Sequence, residues 1–327
     1  MAVATSQSTE NYSMNLPWTE SPFFRSELKK ANLSPEMERI VTQYAEGGFV
    51  VFDPDIDESI LNTALEKLEP KHLAVKDDRI QDAWRDVDAV RQIAIAPKVL
   101  DVLRTLYRRE PIPFQTLNFK LGTQQRTHSD SMHFHSIPQR FMCGVWVALE
   151  DVRDDNGPLH YYPGSHKLPF YDLSDIGIRA TSAKSLDEAY GKTYPKYADF
   201  LSDMIEAQDL KKAVLNMKKG HAIIWAANLL HGGEKILTPG STRYSQVTHY
   251  FFQDCVYYTP LQSDMPLDKL YLRQITNIIT GEKVANKYID EYIKQDNEGY
   301  AMRITIPTAV RRIGGLILKP FRKLLGR

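Results

Sequence analysis

Of the 327 residues, 43% are apolar and 25% charged, the balance of a folded globular chain and not of a disordered or collagenous one. Lys plus Arg and Asp plus Glu both total 41, so no overall field gathers nucleic acid, and two cysteines, Cys143 and Cys255, exclude a disulfide framework and point to a reducing compartment. No run of about 18 apolar residues is present to cross a bilayer, and the first twenty residues show neither the basic nor the apolar region of a signal peptide, so the expected location is cytoplasmic.

In chain order, residues 1–22 are polar and aperiodic and read as a loose arm. The stretch "SPEMERIVTQYAEGG" opens on Ser34-Pro35 and closes on Gly47-Gly48, a capped helix over 34–48. "GFVVFD" reads as a strand, and "DESILNTALEKLEP" as a helix stopped by Pro70. Apolar residues at 100, 103, 106 and 107 predict an amphipathic helix over 97–110. The pattern then turns to β: runs at 113–121, 140–152, 159–165, 221–226 and 243–252 lie between Gly, Pro, Asn and Asp turns. Residues 167–215 interrupt these runs with a helical, tyrosine-bearing insertion (Tyr171, Tyr190, Tyr194, Tyr197) placed to cover a site entrance, a candidate lid. Residues 264–300 read as helical again. The expected fold is mainly β with flanking helices, a sandwich or jelly roll over 23–300, followed by a tail over 301–327.

That tail carries seven Lys/Arg and no acid from Arg303 to Arg327, so the rest of the chain is correspondingly acidic. Its apolar residues at 310, 313, 317, 321 and 324 make one stripe, interrupted by Gly314-Gly315 and Pro320. Such a segment can lie on an anionic membrane surface, dock as a terminal helix, or stay loose.

The stretch "THSDSMHFHS" at 127–136 concentrates three of the nine histidines around one acid. On a strand, residues two apart share a face, which pairs His128 with Asp130, and His133 with His135. His231, after the apolar run 221–226, can supply a third ligand. Two imidazoles and one carboxylate make a facial triad that leaves three metal positions open. Arg243 opens the run 243–252, where its planar fork suits a distant carboxylate. The bland alternatives are a solvated turn histidine and a surface strand charge.

"HSD" at 128–130, "VWVALEDVRDDNGPLHYYPGSHK" at 145–167, His231 and Arg243 together resemble the phytanoyl-CoA dioxygenase superfamily of Fe(II)/2-oxoglutarate oxygenases over residues 113–252. The resemblance implies a double-stranded β-helix, with His128, Asp130 and His231 as iron ligands and Arg243 on the C5 carboxylate of 2-oxoglutarate. It implies Trp146 beside the cosubstrate and Asn118 in contact with it. Where members of the group often have Ser two residues after the distal His, this chain has Gly233; Ser245, on the face of Arg243, is the candidate substitute. An aspartate at 130 argues against halogenation, since related halogenases have a small residue there. The implied reaction uses Fe(II), 2-oxoglutarate and O2 to hydroxylate a small-molecule or lipid-like metabolite, with release of succinate and CO2. The competing readings are a non-catalytic metal- or ligand-binding barrel, and a cupin-like enzyme that uses another metal without 2-oxoglutarate. His133 and Phe134 are candidates for the substrate pocket; His135, His160, His166, His221 and His249 read as structural, Cys143 as a buried hydrophobe, and Trp225 as core.

Overall fold

The computed structural model describes residues 15–75 and 79–302. Helices come first: α1 (Phe24–Leu28), α2 (Pro35–Gly47), strand β1 (Phe49–Phe52), then α3 (Glu58–Ala74). After β2 (Arg79–Gln81) follow α4 (Asp88–Ala94) and α5 (Pro97–Tyr107). Ser34 caps α2 by accepting the Met37 amide, and Gly48 closes it with a φ of 80°, a left-handed backbone that glycine adopts without strain.

The β core comprises β3 (Pro111–Phe119), β4 (His135–Ile137), β5 (Met142–Ala148), β6 (Leu159–Tyr161), β7 (Ala213–Val214), β8 (Ala222–Ala226), β9 (His231–Gly233), β10 (Ser245–Phe252) and β11 (Val256–Tyr258). Six strands form an antiparallel major sheet in the order β1-β8-β5-β10-β3-β2. Three more, β7-β6-β9, form the facing minor sheet, and β4 pairs with β11. This is the jelly-roll architecture, a double-stranded β-helix flanked by helices.

The major sheet is buried on both faces, and strand alternation divides its side chains between two cores. Val145, Val147, Ile224, Tyr250 and Phe252 face the helices, packing on Ile40, Tyr44, Leu61, Leu68, Val90 and Leu103. Trp146, Ala148, Ile223, Trp225 and Val247 face the minor sheet, packing with Tyr161, Leu215 and Met217. Gly144, opposite Trp225 in the register, has no side chain because one would overlap it: a Cβ there would stand 2.4 Å from the indole.

Several expectations are corrected. Pro70 lies inside α3, which continues to Ala74. Leu61, Ala64, Leu68 and His72 form one buried stripe through the proline, so packing outweighs the lost backbone hydrogen bond. The helix over 97–110 stops at Tyr107, where Arg108 turns left-handed. Residues 264–300 are not helical: they form a short turn (Met265–Leu267) and two hairpins, β12–β13 (Ile275–Thr276, Lys283–Val284) and β14–β15 (Asn286–Tyr288, Glu291–Ile293). Left-handed turns at Gly281 and Ile289 break what looked like a helical period. The arm is not loose throughout, since Trp18 is buried and its indole donates to the Thr105 carbonyl of α5. Residues 1–14 and the basic segment 303–327 lie outside the described residues. Among the described residues, no helix is long and apolar enough to cross a membrane.

The insertion contributes short turns, α6 (Leu186–Glu188), one wide turn (Ala189–Thr193) and α7 (Tyr194–Ala207). It has a small core of its own, with Tyr197 and Leu201 packed among Met132, Leu230 and Leu261 of the barrel.

Candidate active site

His128 and His231 meet across one β-bridge: each backbone amide donates to the other's carbonyl, at 2.8 and 3.0 Å. Their rings lie 4.3 Å apart. Asp130 is not on the strand of His128, as simple alternation would place it. It opens a single helical turn (Asp130–Met132) capped by Ser129, and its carbonyl accepts the amides of His133 and Phe134. That turn swings the carboxylate back between the imidazoles, with His128 Nε2 3.7 Å from Oδ1 and His231 Nε2 3.9 Å from Oδ2. One ligand atom from each of the three residues lies within 4.8 Å of the other two, all buried, a spacing a single cation would bridge.

The imidazoles are held in the tautomer a metal requires. Nδ1 of His128 lies 3.0 Å from the Arg126 carbonyl, and Nδ1 of His231 lies 2.9 Å from the Leu229 carbonyl. A carbonyl only accepts, so both Nδ1 atoms carry the proton and both Nε2 lone pairs face Asp130. Burial, reinforced by His231, pushes His128 down to about 4, and burial likewise lowers His231. Both are neutral near pH 7. Burial alone would raise Asp130, but the imidazoles of His231, His249 and His128 and the Trp225 N–H overcome it and bring the carboxyl to about 2. The ligand set is therefore two neutral imidazoles and one carboxylate.

Two residues expected to be structural belong to this centre. Trp225 Nε1 donates to Asp130 Oδ2 at 2.8 Å, and His249 Nε2 lies 3.8 Å from the same oxygen. Counting by twos from Arg243 along β10 reaches His249, so its inward face was legible; the bond from Trp225 joins residues 95 apart in sequence and was not.

The triad opens into a cavity of about 590 Å³ that also holds Arg243, Trp146, Thr123, His133 and Phe134. Arg243 is buried 5.3 Å from the centre of the Trp146 ring. Its Nη1 donates to the Gly157 carbonyl at 3.0 Å. Gly157 takes a φ of 77° in the turn that Asn156 ties to Asp151 and Thr242, so the "DDNGPL" segment acts by anchoring this guanidinium. Arg243 Nε and Ser245 Oγ, on the same strand face, are buried without a partner, and among the described residues no carboxylate lies within ion-pair distance of Arg243. Burying a guanidinium without a direct ion-pair partner is costly, only partly offset by the charge of Glu150, and a carboxylate entering the cavity would supply that partner.

A Cβ at Gly233 would stand 2.9 Å from the Gln124 amide, so a serine does not fit this backbone; Thr123 Oγ1, on the cavity wall, lies 3.1 Å from the same point. Asn118 does not reach the cavity. Its neighbours Leu117 and Phe119 line it, so alternation turns Asn118 to the opposite face, where its Nδ2 donates to Gln246. His133 bridges barrel and insertion, with Nδ1 3.1 Å from the Tyr190 hydroxyl and Nε2 3.2 Å from that of Tyr194. His135 points elsewhere, stacked on Tyr258 and edge-on to Phe170. The "PGSH" corner also has a positioning role: Ser165 Oγ accepts the Leu230 amide next to His231, while His166 packs under Gly48 with its Nε2 at the Ala45 carbonyl.

Comparison with known proteins agrees with this geometry. The model of the phytanoyl-CoA dioxygenase (PhyH) family matches residues 59–244. Phytanoyl-CoA dioxygenase domain-containing protein 1 of Danio rerio is 25% identical over 190 residues, 55% of this chain and 60% of that protein. Its Dictyostelium discoideum homolog is 24% identical over 210 residues, 64% of each chain. The chain thus matches less than two thirds of either relative's length. Among solved structures, SnoN, a non-heme alpha ketoglutarate dependent epimerase from nogalamycin biosynthesis, superposes with a TM-score of 0.54 at 18% identity, covering 79% of this chain and 97% of its own. EctD from S. alaskensis with bound Fe gives a TM-score of 0.52 at 18% identity, covering 70% and 80%. At these identities the superpositions show the fold, and the match to the family model shows the descent: the chain belongs to the phytanoyl-CoA dioxygenase family.

Proposed function

We propose that this protein is an Fe(II)- and 2-oxoglutarate-dependent dioxygenase that hydroxylates an unactivated C–H bond of a small-molecule or lipid-like metabolite. One observation carries the reading: the His128–Asp130–His231 cluster shares a single cavity with Arg243, a buried guanidinium lacking a carboxylate partner. The triad would hold iron, and Arg243 with Ser245 would receive the far carboxylate of 2-oxoglutarate against Trp146. When bound, iron and 2-oxoglutarate supply the oxidising power: the substrate gains one oxygen atom of O2, and the other leaves in succinate as CO2 is released. The chain's own part is to orient the cosubstrate from its far end, keep both histidines deprotonated at Nε2, and exclude water with Leu186, Tyr190 and Tyr194 of the insertion. Asp130→Ala is expected to abolish Fe(II)- and 2-oxoglutarate-dependent succinate formation while the circular dichroism spectrum stays native. Undiminished succinate formation in that variant would refute the assignment. Product mass separates hydroxylation from an epimerisation or ring closure, the outcomes named for the solved neighbours SnoN and SnoK.

The proposed location is the cytoplasm, with the basic segment 303–327 resting on anionic membrane. Co-sedimentation with phosphatidylserine vesicles that survives truncation after Met302 would rule out the membrane role.

A further inference from the structure

The cavity has a second guanidinium that the metal and the cosubstrate do not use. Arg273, from the segment after the barrel, lines the wall built by His133 and Phe134. Its guanidinium lies 4.4 Å from the centre of the Phe134 ring, and that ring in turn lies 4.8 Å from His249, which faces Asp130. Nη1 is fixed, donating to the His133 carbonyl at 3.3 Å and to Thr259 Oγ1 at 3.1 Å. Nε is buried without a partner, and the ionisable groups acting on this arginine are two tyrosines, Tyr190 and Tyr271, with no carboxylate among them. Burial lowers its pKa to about 10, so it stays charged near neutrality.

Charge balance says what is missing. The lining includes Arg79, Arg243 and Arg273 but a single carboxylate, Asp130, a surplus of 3 − 1 = 2 positive charges with the histidines neutral. A divalent cation and a cosubstrate dianion cancel each other and leave that surplus in place. Arg79 is exposed and screened by water, so the unbalanced charge that matters is on Arg273. The nearby hydroxyl and amide side chains, Thr259, Gln262 and Gln115, are neutral. With Nη1 pinned and Nε buried without a partner, the guanidinium lacks an acceptor on its Nε side, the side-on fork from which a carboxylate accepts two hydrogen bonds.

We infer that Arg273 binds a carboxylate of the primary substrate, and that the rest of the substrate is an apolar or aromatic body lying between Phe134 and the His133–Tyr190–Tyr194 wall. The inference deepens the oxygenase reading and rests on it for the word substrate. The full chain, loaded with Fe(II) and saturating 2-oxoglutarate under argon so that Arg243 is occupied, is titrated by ligand-observed NMR. The probes are 3-phenylpropanoate and hexanoate, each against its primary amide. At least one acid is expected to bind about tenfold more tightly than its amide, the scale of one charge-assisted hydrogen bond. In Arg273→Gln that ratio falls to about one, and Arg273→Lys, which keeps the charge without the fork, gives an intermediate value. The native ratio stands even if the Gln variant fails to fold. Equal affinity of acid and amide in the native chain, no binding of any probe, or an undiminished ratio in a folded Arg273→Gln protein overturns the inference. The oxygenase reading fails separately: acids held through Arg273 by a chain that makes no succinate in air leave the anion site standing and remove only the activity.

Discussion

His128 and His231 take up the same posture by the same local device, an Nδ1–H donated to the carbonyl two residues earlier. The device is local, and the histidine–X–aspartate spacing with a distant histidine was legible in the sequence. How the carboxylate is held was not, because Asp130 reaches its place through a helical turn and is fixed by Trp225 from another strand. Trp225→Phe removes the N–H together with the five-membered part of the indole that packs on Gly144, so the circular dichroism spectrum is recorded alongside to check the fold. Loss of such a partner typically costs 10- to 100-fold in metal affinity, which a Co(II) absorption titration would read. Native affinity in that variant would show that Asp130 needs no donor. On the cavity wall beside Trp146, Arg243→Gln removes the buried guanidinium charge. The concentration of 2-oxoglutarate needed for half-maximal turnover is expected to rise about tenfold to a hundredfold, with Fe(II) affinity little changed.

Strands place these residues through parity, and small residues make the room. Gly144 faces the Trp225 indole across β5 and β8, so Gly144→Ala introduces a methyl group where the ring already lies. Overpacking of this kind costs about 1–3 kcal/mol, read as a lower denaturant midpoint, and displacement of the indole should weaken metal binding as well. The insertion is held differently. Two tyrosine hydroxyls from its helical part grip one imidazole, His133, at the mouth of the cavity. His133→Leu removes both bonds, and faster amide hydrogen exchange over 186–197 is the expected signature; native protection there would mean that the Tyr197–Leu201 core alone fixes the segment. The tyrosines were visible in the sequence as a cluster, but their shared partner was not.

Across the molecule, several histidines are buried as neutral rings away from the metal ligands. Burial brings His135 down to about 3 and His166 to about 4, both below the ordinary value of 6.5. A depressed histidine means that the unfolded chain binds the proton more readily, so this share of stability is complete above about 6.5 and is lost as pH falls through the folded values. The melting temperature is expected to decline from pH 7 towards pH 4, and a flat profile across that window would show these rings to be protonated without cost. Period-two runs, capping residues and the His–X–Asp spacing are short-range signals, and they made the β core, helix α2 and the His128–Asp130 pair legible, with His231 and Arg243 named as candidates whose meeting with that pair depends on the fold. Tertiary packing decided the rest. It carried α3 through Pro70, folded 264–300 into hairpins, and brought Trp225 and Arg273 to the site. Those outcomes depend on contacts between residues tens of positions apart, whose free energies outweigh local propensity and leave no periodic trace along the chain.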